Sequence, residues 1–177
     1  MRSREEKPVW FAMRATYRRE MEAKKLLDAE SLDTFIPMHY VPVKGNKKKR
    51  ELVPVIHNLI FVYAQPSHIH RIKKDILFLQ YMIDRRNGQK IIVPEEQMKR
   101  FIAVSGSYHE QLLYFSPEEV NLSRGTKVRI CGGEFEGQEG IFIKVKGARD
   151  KRVVVQVQGV IAVALATIHP DLIEPIC

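Results

Sequence analysis

Few residues in this sequence have the types and spacing that catalysis or metal binding requires. His68 and His70 are two positions apart in a predicted helix, so their side chains point to different faces and do not share a metal ion. The glycine-rich segment 132–137 is acidic and lacks the lysine of a phosphate-binding loop. His57 lies in a predicted strand with no nucleophile beside it. We therefore predict a binding protein rather than an enzyme, with no metal and no cofactor.

The charge of the chain is concentrated in one part. The whole sequence has a net charge of +8. Residues 1–105 contain 21 Lys and Arg against 12 Asp and Glu, which is +9, whereas residues 106–177 contain 8 against 9, which is −1. Such asymmetry predicts that the N-terminal part faces a polyanion such as nucleic acid. The alternative is a basic surface that only keeps the protein soluble.

Composition and length define the class. The chain has 177 residues, of which 45% are hydrophobic, so it can bury the core of one large or two small domains. No run of apolar residues is long enough to cross a membrane, and residues 1–7 lack the apolar stretch of a signal peptide. Cys131 and Cys177 do not form a zinc-binding pattern, and we expect no disulfide. We expect a cytoplasmic monomer.

The N-terminal part predicts alternating strands and helices. The apolar run Val9–Ala15 is typical of a central strand, and Ala23, Leu26 and Leu27 predict one apolar stripe on a helix over 18–30. Further elements are predicted from periodicity and turn signals: an extended segment over 35–41, a basic hairpin tip over 44–50, a strand over 59–63, a helix over 67–75, a strand over 79–83 and a helix from Pro94. The order β-α-β-β-α-β-α predicts an α+β sandwich with an antiparallel sheet.

The C-terminal part predicts only strands. Short β-rich segments over 127–130, 141–145, 152–158 and 160–166 are separated by glycines. Four or five such strands in a short span favour a small closed β-barrel. Residues 106–121 read as a linker, although Leu112–Phe115 is apolar enough to pack on one of the domains.

Two motifs in this order resemble the NusG family of transcription elongation and antitermination factors. Gly125–Gly140 is similar to the KOW motif, with its Gly-x-x-Val opening, Gly-x-Phe-x-Gly turn and closing glycine. The Trp10-Phe11 strand, the basic hairpin, Ile56–Val62 and the helix opening Val93–Glu96 resemble the NusG N-terminal (NGN) domain. The resemblance implies an NGN domain over 8–105, a linker over 106–121 and an SH3-like KOW barrel over 122–177.

Within the family the chain resembles specialised paralogues of the RfaH and UpxY kind. General factors have Phe-Pro-Gly-Tyr where this chain has Ile56–Leu59, and Asn58 fits the RfaH-like version of that turn. Ser116–Val120 resembles the same segment of UpxY-like regulators, which serve capsular polysaccharide operons. This resemblance implies suppression of pausing or termination at specific long operons.

The resemblance also implies the partners of the N-terminal domain. An apolar depression would grip the clamp helices of the largest RNA polymerase subunit, and Ile56 and Leu59 are favoured as contacts, whereas core positions are favoured for Trp10 and Phe61. The full set of positions implied for this contact is Ile56, Leu59, Phe61, Met98, Phe101, Trp10 and Met13. A contact with the gate loop of the second large subunit would fall on His70, Arg71 and Lys73.

Basic residues would face upstream or non-template DNA and neutralise phosphate without reading bases. These positions are Lys44, Lys47, Lys48, Lys49, Arg50, Arg18 and Arg19, and for each run a solvated surface is the alternative. In the barrel, the loop that holds Phe135 would bind Rho or a small-subunit ribosomal protein through an exposed aromatic ring; a Phe folded over the barrel mouth is the alternative. The β-rich segment predicts a barrel that does not refold into helices.

The rival interpretation is a ribosome-associated KOW-domain RNA-binding protein. It predicts binding to structured RNA in the absence of polymerase. The family resemblance instead predicts co-purification with core RNA polymerase.

Overall fold

The computed structural model describes residues 5–177, so the first four residues of the N-terminal segment lie outside it. The chain divides into two compact units, one formed by Met1–Pro37 and Pro54–Glu95 and the other by Met38–Val53 and Glu96–Cys177. Within the described part, no helix is long and apolar enough to cross a membrane.

The model contains three α-helices and thirteen strands over the described residues. The helices are α1 (Glu20–Ala29), α2 (Pro66–Lys73) and α3 (Glu95–Ser105). The strands are β1 (Val9–Ala15), β2 (Asp33–Phe35), β3 (Met38–Val43), β4 (Asn46–Pro54), β5 (Leu59–Ala64), β6 (Leu79–Tyr81), β7 (Ile92–Val93), β8 (Leu113–Phe115), β9 (Thr126–Ile130), β10 (Glu139–Ile143), β11 (Arg152–Val157), β12 (Ile161–Ala164) and β13 (Ile173–Pro175). Every strand pair with a recorded register is antiparallel, which confirms the predicted α+β class.

A five-stranded sheet forms the first unit. Its order is β2-β5-β1-β6, and β7 pairs with β1 beyond the end of β6. Phe11, Ala12 and Met13 are all buried, so both faces of β1 are covered at its centre, as predicted for a central strand. Helix α1 packs against β1, β2 and β5.

The buried face of α1 differs from the predicted one. Ala23 and Leu27 are fully buried, but Leu26 is 42% exposed and the third buried side chain is Glu20, at 2% exposure. The prediction for Leu26 was wrong because the buried stripe runs through positions 20, 23 and 27 at helical spacing, and Leu26 lies outside it.

The hairpin of the second unit consists of β3 and β4, joined by a turn at Lys44 and Gly45. Gly45 has φ +82°, a conformation that glycine adopts without steric cost. The predicted turn is therefore confirmed, but residues 47–50 lie on strand β4 rather than at the tip. Because side chains alternate along a strand, this basic run faces both sides of an exposed ribbon.

The remaining strands of the second unit form a six-stranded sheet in the order β13-β9-β10-β11-β12-β8. Val153, Val154 and Val155 of β11 are all buried, which means that both faces of the sheet are covered there. One face packs Val154 with Phe115 and the alanines of β12. The apolar segment Leu113–Phe115 is thus a strand, β8, that pairs with β12.

Close backbone approach explains one glycine of the KOW-like segment. A Cβ atom at Gly140 would lie 2.6 Å from the carbonyl oxygen of Val154 and 2.8 Å from Cγ1 of Val153. Gly140 pairs with Val128 in the register of β10 and β9, next to β11. Glycine at this position lets β10 and β11 approach each other.

Candidate functional site

The turn before β5 is fixed by a buried carboxylate. Glu20, at the start of α1, accepts a hydrogen bond from the backbone N–H of Asn58 at Oε2 (3.1 Å), and its Oε1 lies 3.3 Å from His57 Nδ1. His57 was predicted in a strand, but it lies in the turn, because the strand begins only at Leu59. Ile56 comes directly before this turn in the chain, and the core strand β5 begins directly after it at Leu59.

Asn58 adopts φ +73°, in the left-handed region that asparagine tolerates better than most residues. Its backbone carbonyl accepts from Ala15 N–H (2.8 Å), and its side-chain Oδ1 accepts from Arg18 N–H (2.7 Å). Asn58 therefore fastens the turn to the segment between β1 and α1. Asn58 thus has a structural role in this turn.

Two consecutive residues in the segment between β1 and α1 are left-handed. Tyr17 has φ 59° and Arg18 has φ 56°. Left-handed conformations of non-glycine residues are uncommon and cost free energy, so they persist only where neighbouring contacts impose them. The hydrogen bond from Arg18 N–H to Asn58 is such a contact. The consequence is an aromatic side chain, Tyr17, that is 88% exposed.

Tyr17 lines a cleft of about 560 Å³ in the first unit. The cleft combines exposed apolar surface with arginines and amides; its lining residues are Arg14, Thr16, Tyr17, Arg19, Asn58, Leu77, Phe78 and Gln80. Leu77 is 84% exposed at its rim. Sequence reasoning missed Arg14 and Tyr17, although the alternation of β1 predicts that Arg14 points away from the core.

Arg18 and Arg19, both predicted to lie near DNA, differ in their surroundings. The guanidinium of Arg19 lies 3.8 Å from the centroid of the Phe78 ring and forms an ion pair with Glu22 at 2.7 Å. Glu22 raises the pKa of Arg19, and Arg19 in turn lowers the pKa of Glu22. Arg18 is exposed, and its side chain forms no ion pair with another described residue.

The residues implied in the clamp-helix contact fall into two groups. Five have buried side chains: Leu59, Phe61, Met13, Met98 and Phe101. Ile56 and Trp10 are partly exposed, and the Trp10 ring packs on Tyr63 with centroids 5.2 Å apart. In the first unit, exposed surface at these positions is therefore provided by Ile56 and Trp10, and Leu59, Phe61 and Met13 belong to the core of that unit. The sequence favoured Leu59 as a contact residue, but its side chain is buried in the core.

Helix α2 presents the residues implied in the gate-loop contact. His70 and Arg71 are exposed. Lys73, at the end of the helix, is partly buried and lies over the ring of Tyr81. Burial lowers the pKa of Lys73, and the nearby Lys90 lowers it further.

The basic hairpin exposes Lys44, Lys47, Lys48, Lys49 and Arg50. Arg50 Nη1 forms an ion pair with Glu110 Oε1 at 2.8 Å, and the ring of Tyr40 meets that of Tyr108 edge-on at 6.0 Å. The base of the hairpin is thus tethered, whereas none of the four lysines forms an ion pair with a described residue. Their charges are available to an outside anion.

Phe135 was predicted as an exposed anchor, but its side chain is only 8% exposed. Its ring meets the ring of His109 edge-on, with centroids 6.4 Å apart. Phe135 borders a cleft of about 220 Å³ with Ile130, Leu172 and the glycines of its own loop. Of the two alternatives that the sequence left open, the burial favours the inward-folded ring over the exposed one, because Phe135 can bury its apolar area there.

Comparison with known proteins identifies the class. The family model described as "Transcription termination factor nusG" matches residues 8–102, more than half of the chain. One similar solved structure is described as "Domain interaction in Thermotoga maritima NusG"; it shares 18% identity and a TM-score of 0.46, covering 96% of this chain and 98% of that one. None of the curated proteins matches the chain.

The family match places the chain among regulators of transcription elongation and antitermination, a class that binds RNA polymerase. The chain belongs to the NusG family.

Proposed function

We propose that this chain is a specialised antiterminator, similar to RfaH and UpxY, that binds RNA polymerase and suppresses pausing or termination at long operons such as capsular polysaccharide loci. One observation supports the proposal most directly. Where general factors have Phe-Pro-Gly-Tyr, this chain has Ile56–Leu59, with Asn58 at the turn. Asn58 is left-handed at the position where the general motif has glycine, and its side-chain oxygen accepts a hydrogen bond from Arg18 N–H. The altered turn changes the surface next to the proposed polymerase contact.

The clamp helices of the largest subunit are the proposed main partner. A helical hairpin binds a groove through apolar side chains that enter it, and the groove must be rigid to limit the entropy lost on binding. Ile56 and Trp10 supply partly exposed apolar surface, and the buried Leu59 and Phe61 hold the strand beneath them. The hydrogen bonds of Glu20 and Asn58 supply the rigidity.

The gate loop of the second large subunit is the proposed second contact, through His70, Arg71 and Lys73. A protein that touches both sides of the polymerase cleft binds the elongating conformation more tightly than an open, paused one. A tenfold preference is about 1.4 kcal/mol, enough to shift a pausing equilibrium by the same factor. No bond chemistry is needed for this effect.

DNA is the proposed third partner, upstream or on the non-template strand. The four hairpin lysines and Arg50 would neutralise phosphates without base recognition. Arg14 and Arg19 line the cleft with Tyr17, and Arg18 follows Tyr17 in the chain; an exposed aromatic ring with neighbouring arginines suits an unstacked base of a single strand. The cleft would therefore add selectivity for single-stranded DNA to the nonspecific attraction of the hairpin.

The C-terminal barrel is proposed to recruit Rho or a small-subunit ribosomal protein through the loop around Phe135. The proposed domain bounds are 8–105, 106–121 and 122–177, with β8 of the 106–121 segment adding an edge strand to the C-terminal sheet. We also propose a monomer and a cytoplasmic location. The barrel stays β-structured in this proposal, because Gly140 and the three buried valines of β11 suit a sheet far better than a helix.

Transcription with purified core polymerase tests the proposal. On a long template with a pause site and a terminator, the protein should raise the yield of full-length transcript and shorten the pause. The matched variant Arg18→Gln should lose part of this effect without losing polymerase binding. If the protein leaves transcript lengths unchanged but binds structured RNA tightly without polymerase, the ribosome-associated alternative is correct.

A further inference from the structure

Two lysine ammonium groups lie against one aromatic ring in the first unit. Nζ of Lys73 is 4.0 Å from the centroid of the Tyr81 ring, and Nζ of Lys90 is 4.2 Å from it. Both distances are within the range of cation–π contacts. The two ammonium nitrogens are consequently no more than about 8 Å apart.

The groups that form this cluster are held by regular structure. Tyr81 lies in β6, opposite Met13 of β1, and its ring packs at 5.5 Å from the ring of Phe11. Lys73 is the last residue of α2, and the backbone of Lys90 forms a β-bridge with Ile83. The ring and the two lysine backbones are therefore pre-positioned rather than assembled by chance contacts of mobile loops.

No described carboxylate neutralises the two lysines. Asp84 lies between Lys73 and Lys90 in the chain, but it is paired with Arg86, whose Nε and Nη2 donate hydrogen bonds to its carboxylate at 3.1 and 2.8 Å. The segment 66–90 contains six basic residues, Arg71, Lys73, Lys74, Arg85, Arg86 and Lys90, against two acidic ones, Asp75 and Asp84. Two cations held close together without a counter-ion repel each other, and an anion bound between them removes that cost.

We propose that Lys73 and Lys90, whose ammonium groups both contact the Tyr81 ring, form one site for a single phosphate group of a nucleic-acid backbone. A phosphate has several acceptor oxygens, and two flexible lysine side chains can each direct a charge-assisted hydrogen bond of about 2.8 Å to one such group at the edge of the ring. Lysine binds phosphate as a point charge and does not need the fork of an arginine. The excess of basic residues in the segment favours a polyanion over an isolated protein carboxylate.

This site goes beyond the proposed function, which gives Lys73 a contact with the polymerase and gives Tyr81 and Lys90 no role. It also shares no residue with the basic hairpin or with the cleft beside Tyr17. A phosphate bound here would add an attachment point for nucleic acid on the face formed by α2, β6 and β7.

Binding of a fluorescent oligothymidine by the full chain, without polymerase, tests the proposal. Anisotropy titrations at several salt concentrations would compare Lys73→Gln, Lys90→Gln and the double variant. Since one phosphate needs both lysines, each single variant should weaken binding several-fold, and the double variant should weaken it hardly more. In all three, the slope of log affinity against log salt should become shallower by about 0.7, the value for one phosphate of a single strand.

Lys74→Gln is the matched control, because Lys74 is an exposed lysine next to Lys73. It should weaken binding less than Lys73→Gln does. Losses that multiply in the double variant, equal losses in the control, or no loss at all would each overturn the shared site. Both glutamine variants should keep the far-UV circular dichroism spectrum of the natural protein, because the backbones of Lys73 and Lys90 are held by α2 and by the β-bridge to Ile83. Ile56→Glu should bind the oligothymidine normally, which separates failure of this site from failure of the polymerase contact.

Discussion

The backbone N–H of Asn58 donates a hydrogen bond to Oε2 of Glu20, and this 3.1 Å contact joins the turn before β5 to the first turn of α1. Glu20 is 2% exposed, so its carboxylate is held almost out of water. A carboxylate at the start of a helix is favoured by the helix dipole as well as by its hydrogen-bond donors. The conformation of the turn beside Ile56 therefore depends on a buried carboxylate.

Glu20→Ala should destabilise the protein by about 1–3 kcal/mol, because the Asn58 N–H loses its partner in a poorly hydrated place. Glu20→Gln retains a side-chain oxygen that can accept the bond and should cost less. Urea denaturation followed by circular dichroism measures both. Equal stability of Glu20→Ala and the natural protein would show that the bond contributes nothing.

Asn58→Ala should destabilise the protein more than Asn58→Gly. Alanine loses the acceptor for Arg18 N–H and must also adopt φ +73°, which costs about 1–2 kcal/mol for a residue with a Cβ. Glycine loses the hydrogen bond alone, at about 1 kcal/mol. The free energies of unfolding of the two variants provide the check, and the reverse ranking would contradict the left-handed turn.

The sequence predicts those parts of the fold that depend on local interactions better than those that depend on contacts between distant residues. The strand Val9–Ala15 was predicted with the bounds that the structure has, because its unbroken apolar run reflects burial on both faces. Helix α1 was predicted correctly as an element, but Leu26 was assigned to its buried face in place of Glu20. A charged residue is not expected in a core unless its partner is known, and the partner, Asn58, is 38 residues away.

In the candidate site, too, local features are predictable from the sequence and long-range packing is not. The exposed lysines of the hairpin follow from composition alone, whereas the burial of Leu59 and Phe135 depends on packing that no local pattern contains. The cleft beside Tyr17 was missed because two left-handed residues in succession are set by the distant Asn58 side chain. Strand β8 was missed because its partner, β12, follows it by almost fifty residues.

Gly140→Ala should destabilise the barrel by about 3 kcal/mol, since the new Cβ would press on the Val154 carbonyl, a backbone atom that cannot turn aside. Gly137→Ala is the matched comparison: nothing lies within 4 Å of its Cβ position, and only φ +84° is unfavourable. It should cost about 1 kcal/mol. Thermal unfolding of both variants gives the comparison, and a larger loss at Gly137 would contradict the close approach of β10 and β11.

Glu139 should titrate below the ordinary range of a glutamate. Arg129 donates to its Oε1 at 2.8 and 3.2 Å, and this holds the pKa of Glu139 down. A lowered pKa in the folded state means that the interaction stabilises the protein above the ordinary carboxyl pKa and is lost as pH falls through the folded-state value. In Arg129→Gln the pKa should move up toward the ordinary value. Carboxyl-carbon NMR measures the midpoint, which would not move if Arg129 were not the cause.

Co-purification with core RNA polymerase is the most direct test of the central claim. Tagged protein should retain polymerase on a column, and Ile56→Glu should abolish retention, because a carboxylate cannot enter an apolar contact without a large desolvation cost. Leu26→Glu, which places the same charge at an exposed leucine of α1, should retain polymerase fully. Equal retention by Ile56→Glu and the natural protein, with both folded, would contradict the proposed contact, and no retention by the natural protein would contradict the account as a whole.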